Sequence, residues 1–110
     1  MTPQRTWLVE CYSPGIDRAA VASAGARARA AAAALGADDA RVEYLGALLV
    51  ARDEVVFHAF AAPDPGLVHE ASERAGIRFE RIVESVSVGD GATPDALAAL
   101  LADATTPDAP

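Results

Sequence analysis

Three ionisable residues, Glu10, His58 and Glu84, stand inside stretches that otherwise read as apolar. A neutral imidazole between two carboxylates suits general acid–base chemistry. The same set makes part of a divalent metal site if Tyr12, Cys11 or a partner chain supplies further ligands. The ordinary alternative is two carboxylates near strand ends in water and a hydrogen-bonded histidine in a core or an interface. Tyr12, Tyr44 and Phe60 are the aromatic side chains expected to line a ligand pocket, the tyrosines with hydroxyls to donate.

A second candidate is the pair His69 and Glu73, at i and i+4 on a helical stretch, a spacing that chelates a metal or makes a solvated polar pair. His58 and His69 are thus the candidate metal ligands. Cys11 alternates with Trp7 and Val9 rather than with Glu10, which groups it with a buried core. Arg74, Arg78 and Arg81 are interspersed with Glu70, Glu73 and Glu80, a pattern of ion pairing rather than phosphate capture. The chain carries no Gly-rich phosphate loop, no His-Glu-x-x-His, no Cys-x-x-Cys and no nucleophile elbow, which removes several large enzyme classes.

The elements that must position these residues can be read in chain order. Trp7 to Tyr12 reads as a strand stopped by Ser13-Pro14-Gly15. Asp17 to Leu35 reads as a helix, interrupted only by Gly25 and stopped at Gly36, whose buried face must be mostly alanine. Arg41 to Val50 alternates, with Val42, Tyr44, Leu48 and Val50 on one side and Leu45, Ala47 and Leu49 on the other. Ala51-Arg52-Asp53 turns the chain into a second strand, Glu54 to Ala61, giving a hairpin. Asp64-Pro65 is an N-cap followed by a first-turn proline, with Leu67, Val68, Ala71 and Ala75 at helical spacing and Gly76 as the stop. Ile82 to Val88 alternates as a last strand. The domain is expected to span residues 1–91, with 92–110 a helical or disordered tail whose Leu97, Leu100 and Leu101 form a small apolar stripe.

Composition bounds the function. A chain of 110 residues, 52% hydrophobic, suffices for one domain and one core. A formal net charge of −7 argues against nucleic acid and anionic lipid as partners. No apolar run approaches the ~20 residues of a spanning helix, and no secretory signal is visible, so a cytoplasmic protein is expected. A single cysteine can form no internal disulfide.

The order strand, helix, strand, strand, helix, strand predicts an α+β, ferredoxin-like βαββαβ fold, a four-stranded antiparallel sheet with both helices on one face. The middle strands are apolar on both sides, so the helix-free face needs a cover. A second copy, giving a dimeric α+β barrel with a pocket between the sheets, is the leading expectation, and the tail helix is the rival cover.

Three segments, Trp7 to Gly15, Tyr44 to Val50 with Asp53 to Phe57, and Glu73 to Ile77 with Glu80 to Glu84, resemble a family of small actinobacterial-type domains of unknown function related to nickel-binding proteins. The resemblance covers roughly residues 6 to 88. It implies a ferredoxin-like fold, a dimer and, as cofactor, a divalent metal such as nickel or zinc. The family's nickel-binding members place histidines on the first strand and around the second helix; of these positions only His69 corresponds here, since the first strand carries Glu10 and Cys11.

Three functions follow. The first is a homodimer that binds a small ligand or a metal on the helix-free face without a reaction of its own. The second is a cofactor-independent cyclase, isomerase or oxygenase acting on an apolar small molecule with His58, Glu10 and Glu84 as acid and base. The third is a structural or regulatory interaction module.

Overall fold

The computed structural model describes residues 4–37 and 41–86. The expected tail and the distal part of the last expected strand lie outside the described residues. The elements are β1 (Arg5–Tyr12), α1 (Arg18–Gly36), β2 (Glu43–Val50), a single 3₁₀ turn (Ala51–Asp53), β3 (Val55–Ala62), α2 (Pro65–Arg74) and β4 (Arg81–Ser85). The four strands form one antiparallel sheet in the order β2-β3-β1-β4. The fold is therefore the ferredoxin-like α+β arrangement expected from the element order. No helix among the described residues is long and apolar enough to cross a membrane.

Both helices are fixed by local chemistry. The side chain of Asp17 accepts from the Ala20 N–H at 2.8 Å and caps α1. Asp64 accepts from Leu67 N–H at 3.3 Å ahead of Pro65, and caps α2. At its other end α2 closes in a Schellman motif: Gly76, at φ +71°, donates to the Glu73 carbonyl at 3.0 Å, and Ile77 donates to that of Ser72 at 2.9 Å. Arg27 of α1 then donates from Nε to the Ala75 carbonyl at 2.8 Å, tying one helix to the exit of the other.

The alanine-rich face of α1 is buried through Val21, Gly25, Ala28, Ala31, Ala32 and Leu35. Gly25 is more than a gap in propensity. A Cβ there would stand 2.9 Å from the Tyr44 hydroxyl, so the glycine is a notch that seats the phenol.

One departure from simple alternation decides the faces of β2. Between Tyr44 and Gly46 the pairing with β3 slips by one residue: Tyr44 lies opposite Phe60, Gly46 opposite Ala59. Leu45 is the extra residue of this bulge, and Gly46 takes φ +139°. Tyr44 consequently shares the helix-covered face with Ala47 and Leu49, while Leu45 joins Leu48 and Val50 on the other. The expected grouping of Tyr44 with Leu48 and Val50 is corrected by that inserted residue.

The main core lies between the helices and the sheet, around Trp7, Val9, Val56, Phe60, Val68 and Ala71. The helix-free face holds a second, smaller buried cluster of Leu45, Ala59 and Ala61, with Leu8 packed against it.

Candidate functional site

Strand register assigns each candidate residue to a face. His58 lies opposite Val9 on β1 and Ala47 on β2, so it points into the helix-covered core, where only 3% of its surface is exposed. Glu10 lies opposite Phe57 and Arg81, on the other face. Glu84 lies opposite Trp7, on the side of His58 but on the edge strand, two strand spacings or roughly 10 Å away. The three residues occupy neighbouring strands, yet the structure does not bring them together.

Each has another partner. His58 Nδ1 and the Tyr44 hydroxyl are 2.9 Å apart in the core. Burial pushes the His58 pKa down to about 4, with the Arg27 charge adding to it, and pushes the Tyr44 phenol up to about 12 against the opposing Arg29 charge. At neutral pH both groups are uncharged. Assigning the phenol as donor puts the imidazole proton on Nε2. The Arg29 guanidinium lies 5.3 Å from the centre of the Tyr44 ring, and Phe60 meets that ring edge-on with centroids 5.2 Å apart.

Glu10 is held by Arg81, whose Nε donates at 2.9 Å and Nη2 at 3.4 Å to the two carboxylate oxygens. Glu84 stands 3.7 Å from Arg5 at the sheet edge, in a solvent-exposed pair.

The aromatic candidates divide in the same way. Tyr44 and Phe60 are core residues on the helix-covered face, whereas Tyr12 is exposed on the helix-free side. They do not line one pocket.

The metal candidates are also apart. His69 is on the outer side of α2, 3.7 Å from Glu73 and edge-on to Phe79, while the Nδ1 of His58 is occupied by Tyr44. Among the described residues no three His, Cys, Asp or Glu side chains gather closely enough to hold a metal. Cys11 is buried, and desolvation followed by the charges of Glu80 and Glu10 raises its thiol to about 11, so it is a protonated core residue at neutral pH.

What the helix-free face does present is a set of ordered cross-strand rows. Gly46, Ala59, Leu8 and Val83 form one; Leu48, Phe57, Glu10 and Arg81 the next; Val50, Val55 and Tyr12 the last. The first row is small in the middle and passes into the buried cluster around Leu45, which is 4% exposed. The other two are open: Leu48 and Val50 are each 38% exposed and Tyr12 56%. A further row on this face, Glu43, Ala61, Thr6 and Ser85, is polar at both ends, so the face has an apolar middle on β2 and β3 bounded by exposed Glu43 on one side and by Glu10 and Arg81 toward β4. Sequence reasoning singled out Glu10 and Tyr12 here and grouped Leu48 with Val50 by alternation; it did not place Phe57 beside Leu48, which the β2–β3 register does, nor separate Tyr44 from them, which the bulge does and for which the isolated Gly46 within a strand pattern is the signal.

No family model, curated protein or solved structure matches the chain.

Proposed function

We propose that the chain is a small-molecule-binding homodimer without a reaction of its own, whose ligand lies against the helix-free face of the sheet. The observation that supports this reading is the pairing, on one face, of exposed Leu48, Val50 and Tyr12 with the polar edge of Glu10 and Arg81. Apolar walls with a few convergent polar groups are the usual composition of a ligand site. The ligand class that fits is a flat, largely apolar molecule with one polar end. An acid–base role for His58, Glu10 and Glu84 has less support, because His58 faces the core and is engaged by Tyr44. A metal role for His58 and His69 has less support for the same reason.

Titration with anilinonaphthalene sulfonate, an aromatic dye with one anionic end, tests the reading. The expected result is saturable fluorescence enhancement at neutral pH, reduced at least tenfold in affinity by Phe57→Ser. No saturable enhancement, or unchanged affinity in a folded Phe57→Ser variant, would remove the face from the function.

A further inference from the structure

The helix-free face is buried unevenly, in a way that the described elements do not account for. Both helices pack on the opposite face, and the cluster of Leu45, Ala59 and Ala61 with Leu8 includes no helical residue. Yet Ala59 and Ala61 expose 0% and 1% of their surface, and Leu45, a large side chain on the edge strand β2, only 4%. Leu48 on the same strand and the same face is 38% exposed. A leucine on the edge strand of an uncovered face meets water as Leu48 does. Leu45 does not, so something lies over it.

The cover is confined to one end of the sheet. It spans the rows of Ala61 and Ala59 and stops short of Leu48, Val50 and Tyr12. β4 delivers the chain to that same end, because Ser85 lies in the row of Glu43, Ala61 and Thr6. Residues 87–110 follow from there. Residues 1–3 and 38–40 adjoin the same end, but they read Met-Thr-Pro and Asp-Asp-Ala, and three residues reach only about 10 Å. Residues 86–92 reach up to about 24 Å, more than the roughly 14 Å from β4 to β2. The sequence then sets Leu97, Leu100 and Leu101 at i, i+3 and i+4 behind Thr93-Pro94, a helix start. A helix over 93–103 is about 16 Å long, close to the width of the sheet.

We propose that residues 93–103 pack as a helix across the helix-free face, with Leu97, Leu100 and Leu101 seated on Leu8, Leu45, Ala59 and Ala61. The alanines of β3 let the leucines approach closely, and exposed Glu43 at the β2 corner stays in solvent at the rim. The segment covers the half of the face nearest Ser85 and leaves Leu48, Val50 and Tyr12 open beside it. The ligand reading concerns that open half, and the docking does not depend on it.

Thiol labelling of the full chain tests the proposal. Cys11 is buried and its thiol is raised to about 11, so it reacts slowly and leaves an engineered thiol readable. Leu45→Cys is expected to react with maleimide at least about tenfold more slowly than Leu48→Cys, at a rate independent of protein concentration. Adding Leu97→Asp with Leu100→Asp is expected to bring the two rates together while the fluorescence of buried Trp7 stays native. Equal rates in the otherwise wild-type chain overturn the proposal, because nothing then covers the cluster. Protection that survives the two aspartates, or that grows with concentration, also overturns it and assigns the cover to another segment or to a second copy.

A second measurement leaves the leucines in place. A nitroxide on Ala99→Cys, opposite Leu97 and Leu101 on the predicted helix, is expected to broaden the amide resonances of Leu8, Ala59 and Ala61 and to spare those around His69 on the outer side of α2. No selective broadening on the face overturns the proposal. Equal broadening in isotope-labelled chains mixed with spin-labelled ones does so too, since the segment then comes from a second copy.

Discussion

The Tyr44 hydroxyl sits 2.9 Å from His58 Nδ1 within the core, and the phenol lies under the notch that Gly25 makes in α1. Burial, with the charge of Arg27 adding to it, keeps the imidazole neutral down to a pH near 4, and with the phenol assigned as donor its Nδ1 is the acceptor.

The sign of the resulting pH dependence follows from linkage. In the unfolded chain His58 has its ordinary value of 6.5, and in the folded protein about 4, so between these values the unfolded state binds more protons. The stability associated with the neutral imidazole is fully present above pH 6.5 and is lost as pH falls toward 4. The full shift is worth about 3 kcal/mol. Urea unfolding followed by Trp7 fluorescence is the measurement, since the single tryptophan is buried and donates to the Ala62 carbonyl at 3.1 Å. Carboxylates titrate in wild type and variant alike, so the difference between wild type and His58→Gln isolates this group. Parallel curves for the two proteins between pH 6.5 and 4 would refute the assignment.

Gly25→Ala sets two effects against each other. Alanine is favoured over glycine in a helix interior by about 1 kcal/mol. Its Cβ would meet the Tyr44 hydroxyl at 2.9 Å and the ring carbons Cε2 and Cζ at 3.4 and 3.5 Å, and that ring is pinned by His58, Phe60 and Arg29. Overpacking at such a site costs about 1–3 kcal/mol. We expect net destabilisation, visible as a lower urea midpoint, and partial rescue in the Tyr44→Phe background, where the clashing oxygen is gone. A stabilised single variant would mean that α1 shifts away without cost.

The element order and the capping residues were legible because their causes are local. Asp17, Asp64 and Gly76 act on backbone groups within a few residues, and the sequence pattern contains all the partners. The facing of Glu10 was legible too, since Cys11 with Trp7 and Val9 already occupied the buried parity of β1.

The facing of His58 relative to Glu10 was not legible. It depends on the register of β3 against β1, and that register is set in part by non-local contacts around Glu54. Glu54 adopts φ +57°, its carbonyl accepts from Ser13 N–H at 2.8 Å, and its carboxylate accepts from Gly15 N–H at 2.6 Å. A one-residue difference there would have moved His58 to the face of Glu10. The bulge at Leu45 was hidden for a similar reason. Gly46 within the strand pattern signals an irregularity, but only pairing with β3 shows which residue of β2 has no partner, and it reassigns Tyr44 from a candidate ligand contact to a core residue.

Ser72 offers a last and opposite kind of test. It is fully buried on α2, its carbonyl closes the Schellman motif with Ile77, and its hydroxyl has no hydrogen-bond partner among the described residues. A buried hydroxyl without a partner loses its hydration on folding and regains nothing. Ser72→Ala removes that group, preserves the carbonyl bond and has the higher helix propensity. The expected outcome is stabilisation by about 0.5–1 kcal/mol in urea, with β4 and the Schellman turn unchanged in amide exchange. A loss of stability would mean that the hydroxyl is bonded in solution, and the tight packing of α2 on β3 would then have to accommodate that partner.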